Sequence, residues 1–493
     1  MTFEQFEKLS QEHNIVPVYQ FVTADLLTPV LAYMKIREEN SYSFLLESVE
    51  GIGRLARYSF IAKKPSKIIS NKGKEITVTI DGKTETFTAD IFDYLQKEIS
   101  AYNTAKLPEL PVFTGGVVGY LGFENVGLIE PVIEFTNPDE IDLPDSMFGV
   151  YETLLAFDHY KHRMIIITNV HIDKEIGLQK QYYEALSKIR RIKRELSLDK
   201  SYKTKFTVKN SDISLPTEDT NFCDMVEKSK VNILEGDIFQ IVPSKRFRAE
   251  FEGDLLNVYR ALRIINPSPY MYFIELNNDF KIIGTSPEDL LKVSDGTATI
   301  LPIAGTRKRG KTEEEDLEME KDMLNDPKEI AEHVMLVDLA RNDLGRVCEF
   351  DSVRVTSDKV VQRYSHVMHI VSRVEGKLTG DKDCIDALKA SFPAGTLTGA
   401  PKIRAIQLIN DYEKVQRKVY GGAVGYIDYN GNLDMCIAIR TFFAKGNTIY
   451  WQAGAGVVAD SIPRLELKEV NNKSAVLVSA LKYAEEINES FSN

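Results

Sequence analysis

Apolar positions recur along this chain with two periods. KEITVTI (74–80) and RMIIITNV (163–170) are dense in β-branched residues and read as strands. IFDYLQKEISAY (91–102) and QKQYYEALSKIRRIKREL (179–196) show helical spacing, and RLELKEVNNKSAVLVSALKYAEEI (464–487) predicts one long helix. SLDKSYKTKFTVKNSDISLPTED (197–219) is polar and poor in large aliphatics, and reads as a linker. The pattern predicts two units, 1–200 and 218–485. One echo crosses that boundary. Gly115 to Tyr120 and Gly421 to Tyr426 agree at five of six positions, which fits either chance convergence of Gly-rich strands or an old duplication.

Composition narrows the classes. The chain has 493 residues, 43% hydrophobic and 27% charged, which is globular, with a formal net charge of −12. An acidic balance argues against nucleic acid as the main partner, because phosphate neutralisation needs a basic face. No apolar stretch reaches the ~18 residues of a membrane span, and the charged N-terminal segment lacks the apolar core of a secretory signal. Cys223, Cys348, Cys384 and Cys436 show no CxxC spacing, so free thiols in a cytoplasmic setting are expected.

Two stretches offer carboxylates at helical spacing. Glu329 and Glu332 lie in a segment that opens on Asp326-Pro327, a good helix start, and Glu466 and Glu469 repeat the i,i+3 spacing. Each pair alone reads as a solvated helix face. Brought together, the two pairs would make a hard oxygen site suited to Mg²⁺. Gly454-Ala455-Gly456 resembles a dinucleotide fingerprint, but Asp460 to Pro463 interposes a loop and no strand follows, so it reads as backbone close to a ligand. The turn-rich stretch from Ser391 to Lys402 has the Gly, Thr and Lys of an anion-binding loop without P-loop spacing. Arg440 ends the strand-like run CIAIR, where an internal ion pair is the plainer reading. His366 and His369, three apart on a predicted strand, point to opposite faces and do not suit one metal. No Gly-x-Cys-x-Gly or Gly-x-Ser-x-Gly nucleophile elbow occurs.

The segments GDIFQIVPSKRF, GTSPEDLL, PIAGTRKRG, DPKEIAEHVMLVDLARNDLGRV, SFPAGTLTGAPK, YGGAVGYID and AGAGVVADSIPRLELKEVNNK together resemble the chorismate-binding enzyme family. They resemble its anthranilate-forming branch most. The likeness covers most of 220–480 and extends thinly into LLESVE (45–50) and ARYSFI (56–61). It implies an α/β (α+β) fold, a four-layer α/β/β/α sandwich of two orthogonal, mainly antiparallel sheets flanked by helices with repeated αββ units, and leaves open whether the two units share a sheet.

The resemblance also implies roles. Glu332 and Glu469 would contact Mg²⁺, supported by Glu329 and Glu466. Gly305, Thr306, Tyr420, Arg440, the backbone of Gly454, Ala455 and Gly456, and Lys473 would meet chorismate. Glu288 would be the general acid, a role that requires a raised pKa, with His369 and Thr396 assisting. Ammonia would come from a glutamine amidotransferase subunit in a hetero-oligomer such as a heterotetramer. L-tryptophan would act as effector near Ser48, Pro269, Tyr270 and Met271. Isochorismate and salicylate synthases use Lys where this chain has Gln240, and 4-amino-4-deoxychorismate synthases carry Lys where it has Ala304. Both absences favour anthranilate formation, with those relatives as the alternatives.

Overall fold

The computed structural model describes residues 1–38, 41–48, 57–199, 204–209, 216–277, 279–363 and 367–487, with backbone alone at 216–218. His366, the end of LLESVE and the start of ARYSFI lie outside the described residues.

Two large sheets dominate, one of 11 strands and one of 12. In the first, Ile15–Thr23, Arg163–His171, Thr153–Asp158, Tyr58–Lys63 and Ser43–Glu47 come from the N-terminal half. Tyr270–Glu275, Phe280–Ser286, Thr441–Lys445, Thr448–Gly454 and Ser244–Gly253 continue it. The second runs from Ile303–Lys308 through Asp289–Ser294, Leu433–Ile437 and Ala423–Asp428, then into Gly116–Leu121, Ser146–Tyr151 and Lys67–Lys72. Every pairing between named strands is antiparallel.

Three buried clusters show why the strands read as continuous apolar runs. Ile165 and Ile167 pack between the sheets with Tyr120, Tyr272 and Val424. Met164 and Ile166, facing the other way, pack under helices with Ile189, Phe222 and Leu477. The second sheet covers its outer face with Phe92, Val337 and Leu388 from three more helices. A strand buried on both faces has no polar side to alternate. Helices, two sheets and helices again make the four layers expected.

The expected boundary does not separate two cores, because both sheets run across it. The predicted linker itself contains the strand Phe206–Val208, paired to Ser244–Gly253, and the first turn of the helix Pro216–Glu235. The echo segments lie side by side. Gly119 stands opposite Gly425, and Val118 opposite Tyr426, in the middle of the second sheet.

Candidate active site

A cavity of about 530 Å³ opens where the chain crosses between the sheets, a volume suited to a small metabolite. Every lining residue falls between Gln240 and Val476. Glu288 sits at one crossing, between Phe280–Ser286 in the first sheet and Asp289–Ser294 in the second. Arg440 sits at another, between Leu433–Ile437 and Thr441–Lys445. It was expected at a strand end. Instead it occupies the turn with φ +51°, a backbone conformation costly for a side-chain-bearing residue and often kept at functional sites.

Glu288 is the most perturbed carboxyl of the cavity wall. Burial raises its pKa to about 7, against the hydrogen bond from Thr396 and the charges of Lys473 and Arg440, which lower it. Thr396 Oγ1 donates to Glu288 Oε1 at 2.8 Å from the short 3₁₀ turn Gly395–Leu397. Arg440 pairs with no side chain among the described residues. Burial pushes its pKa down, with Tyr420, Glu469 and Glu288 opposing. A buried guanidinium without a carboxylate partner is a ready anion site.

Tyr420, Gly454, Gly456, Gly305, Thr306 and Lys473 all line the same cavity. A Cβ on Gly454 would stand 2.9 Å from the Tyr420 hydroxyl, and one on Gly456 2.8 Å from Gln240 Nε2. The Cβ on Gly454 would also meet the Pro243 carbonyl oxygen at 2.8 Å, so that position needs glycine, whereas at Gly456 the Gln240 side chain could swing aside. Ala455 differs: its methyl is buried in the core and its amide donates to the Pro243 carbonyl. The backbone donors expected there reduce to its two neighbours.

The helix Pro327–Gly345 starts at Asp326, whose carboxylate caps the amides of Lys328 and Glu329. It brings Glu332 to the rim, and the C-terminal helix Pro463–Glu486 brings Glu469. Burial raises the pKa of Glu332, and the charges of Glu329 and Glu469 raise it further. Glu466 is raised by burial and by Glu469. Lys473 Nζ reaches Glu469 at 2.7 Å and the Gly454 carbonyl at 2.9 Å. Glu329 is held by Arg307 at 2.9 Å and stands back from the cavity. Among the described residues no three His, Cys, Asp or Glu side chains converge enough to enclose a metal ion alone. Glu332, whose ionisation the charge of Glu469 makes costlier, and Glu469 across an open cavity nevertheless suit a cation completed by substrate and water.

His369 Nδ1 lies 2.8 Å from the Gly305 carbonyl and 3.1 Å from Thr306 Oγ1. Donation to the carbonyl makes Nε2 the basic nitrogen, and burial lowers the imidazole pKa. The ladder shifts register between Ala304 and Arg307, which turns Gly305 and Thr306 out of the sheet. Lys402 does not serve an anion. It pairs with Asp343 at 3.0 Å, so of the predicted loop Thr396 is the polar residue that lines the cavity. Sequence reasoning missed Asn266, Pro287 and Gln452 in the lining; Pro287 lies within GTSPEDLL, and the other two carry no motif signal.

The residues expected near an effector split up. Pro269 lines the cavity, Tyr270 donates to Asp434 Oδ1 at 2.9 Å, and Met271 is buried in the core. Ser48 follows the strand Ser43–Glu47, whose Glu47 stands opposite Met271, and its buried hydroxyl has no partner among the described residues.

A cavity holding a buried acid near neutrality beside a guanidinium at a sheet crossing belongs with the resemblance read from the motifs. The chain belongs to the family described as chorismate binding enzyme, whose profile matches residues 43–479. Within it the full-length relatives are consistent. Anthranilate synthase component 1 of Acetivibrio thermocellus is 43% identical over 495 residues, covering 99% of each chain. That of Aquifex aeolicus is 41% identical over 496 residues, again covering 99% of each. The structure of anthranilate synthase component I from Streptococcus pneumoniae TIGR4 matches with a TM-score of 0.74 at 36% identity, covering 92% of this chain and 98% of that one. The menaquinone-specific isochorismate synthase of Escherichia coli, at 18% identity and a TM-score of 0.70, shares the fold. No helix among the described residues is long and apolar enough to cross a membrane.

Proposed function

We propose that this chain is the chorismate-aminating component of an anthranilate synthase, converting chorismate and ammonia to anthranilate, pyruvate and water at the entry to tryptophan biosynthesis. The observation that carries the reading is Glu288, a carboxyl held at about 7 in one cavity with Arg440 and Lys473. Gln240 and Ala304, the positions that separate this branch from its relatives, line that cavity too.

Arg440, Tyr420 and the amides at Gly454 and Gly456 orient the substrate's carboxylates. Glu332 and Glu469 would hold Mg²⁺, with Glu466 and Glu329 behind them. When bound, the ion supplies positive charge that neutralises the substrate anion. Glu288, protonated and steadied by Thr396, gives its proton to the C4 hydroxyl, which leaves as water while ammonia adds at C2. His369 Nε2 then takes the C2 proton as pyruvate departs and the ring becomes aromatic. Incubation with chorismate, Mg²⁺ and ammonium should yield anthranilate fluorescence; its absence overturns the assignment.

The relatives' name, component 1, supports a second component. With no nucleophile elbow in the sequence, glutamine should support turnover only when a glutamine amidotransferase subunit is added. Feedback by L-tryptophan is part of the same reading. It is supported by the Ser48 hydroxyl, which has no partner among the described residues, beside the strand that carries Tyr270 and Met271. A Ser48→Phe variant should keep its uninhibited rate and lose inhibition. A wild type indifferent to millimolar tryptophan removes this part.

A further inference from the structure

Behind the cavity wall lies an ion pair that no step above uses. Arg417 is 1% exposed and Glu413 5%. Arg417 Nε donates to Glu413 Oε2 at 2.9 Å and Nη2 to Oε1 at 2.5 Å. The same guanidinium donates through Nη1 to the Leu397 carbonyl at 2.8 Å and through Nη2 to the Val242 carbonyl at 2.7 Å. Its central carbon stands 5.5 Å from the Tyr420 ring centroid. Glu413 in turn accepts from the Ser244 amide at 2.8 Å and its hydroxyl at 2.6 Å. From the N-terminal half, Glu124 takes the Arg417 and Lys418 amides at 2.6 and 3.0 Å.

The plain alternative is a satisfied core ion pair, of a kind that apolar residues often replace without loss. The choice of partners argues otherwise. Val242, Leu397 and Tyr420 all line the cavity, and Leu397 directly follows Thr396. Three separate segments of the wall are thus tied to one planar fork, a geometry that Lys cannot reproduce. The chain between Glu413 and Gly422 contains no helix or strand to hold Tyr420 by itself.

We propose that Arg417, clasped by Glu413, is a positioning residue for the reaction, setting the turn from which Thr396 orients the Glu288 proton and the face that Tyr420 presents to substrate. This rests on Glu288 being the general acid. The test compares wild type, Arg417→Lys and the isosteric Glu413→Gln for kcat, KM for chorismate and the pH profile of kcat, with thermal unfolding alongside. Arg417→Lys should lower kcat about tenfold or more, raise KM about threefold or more as Tyr420 loses its place, and move the alkaline limb to higher pH, because Thr396 no longer steadies the ionised acid. Glu413→Gln should do the same more weakly. In a Thr396→Val background, Arg417→Lys should no longer move the limb. Folded variants with an unmoved limb, a limb that still shifts in that background, or collapse of both conservative variants assign the pair to stability alone and overturn the proposal. A wild type without any alkaline limb that Glu288→Gln removes overturns the general-acid reading instead, which keeps the two failures apart.

Discussion

The cavity sets one kind of side chain to work in two opposite environments. Glu288, at a sheet crossing, is enclosed by protein and given one hydroxyl donor, so its charge is suppressed near neutrality. Glu332 and Glu469, on two helices, remain exposed along the rim, where carboxylates gather around the cation Lys473. Desolvation is the largest cause in both regions, but only at the rim do like charges add to it substantially, while Glu288 is opposed by Thr396, Lys473 and Arg440. In the proposed reaction the difference separates a proton held until it is given up from charges that would receive a cation. It also makes the two regions separable by experiment.

The largest effect should come from the rim. Glu332→Gln is expected to lower anthranilate formation by about 10⁴-fold without unfolding the chain, and excess chelator should do the same reversibly to wild type. Full activity in chelator would break the contrast at once. Glu288→Gln should cost about 10³-fold while chorismate binding, read by calorimetry, still requires Mg²⁺.

Above about pH 7 wild-type kcat should fall as Glu288 loses its proton. Thr396→Val removes a bond that lowers this pKa, so the limb should move upward and the rate drop about tenfold. A limb that stays in place would deny Thr396 its hold on the acid. The smallest effect is on stability. The pKa of Glu288 is raised in the folded state, so its contribution is whole below about 4.5 and is lost as pH rises through about 7. Glu288→Gln should therefore stabilise the protein by about 1–3 kcal/mol at pH 8 and leave it unchanged at pH 4, measured by denaturant unfolding.

Much of this was legible in the chain. The β-branched runs marked strands, the i,i+3 glutamates marked two helices, and the long motifs led to Glu288. What stayed hidden depends on where the chain passes between layers. Arg440 reads as the last residue of a strand, because local pattern does not reveal a left-handed turn between sheets. Lys402 reads as a ligand for anions, but Asp343, far along the chain, claims it. The stretch from Tyr412 to Lys418 lies in none of the motifs, yet its Arg417 is among the most buried large side chains. A charged residue shows its partners only in three dimensions.

The pairing of Gly116–Leu121 with Ala423–Asp428 has a consequence for how the protein is made. Until the later strand leaves the ribosome, the earlier one presents an open row of amides and carbonyls, and Ser43–Glu47 does the same while it waits for Tyr270–Glu275. Such bare edges invite pairing with other nascent chains. The N-terminal portion therefore spends much of its synthesis as an incomplete template, and its safety depends on how soon its distant complement arrives.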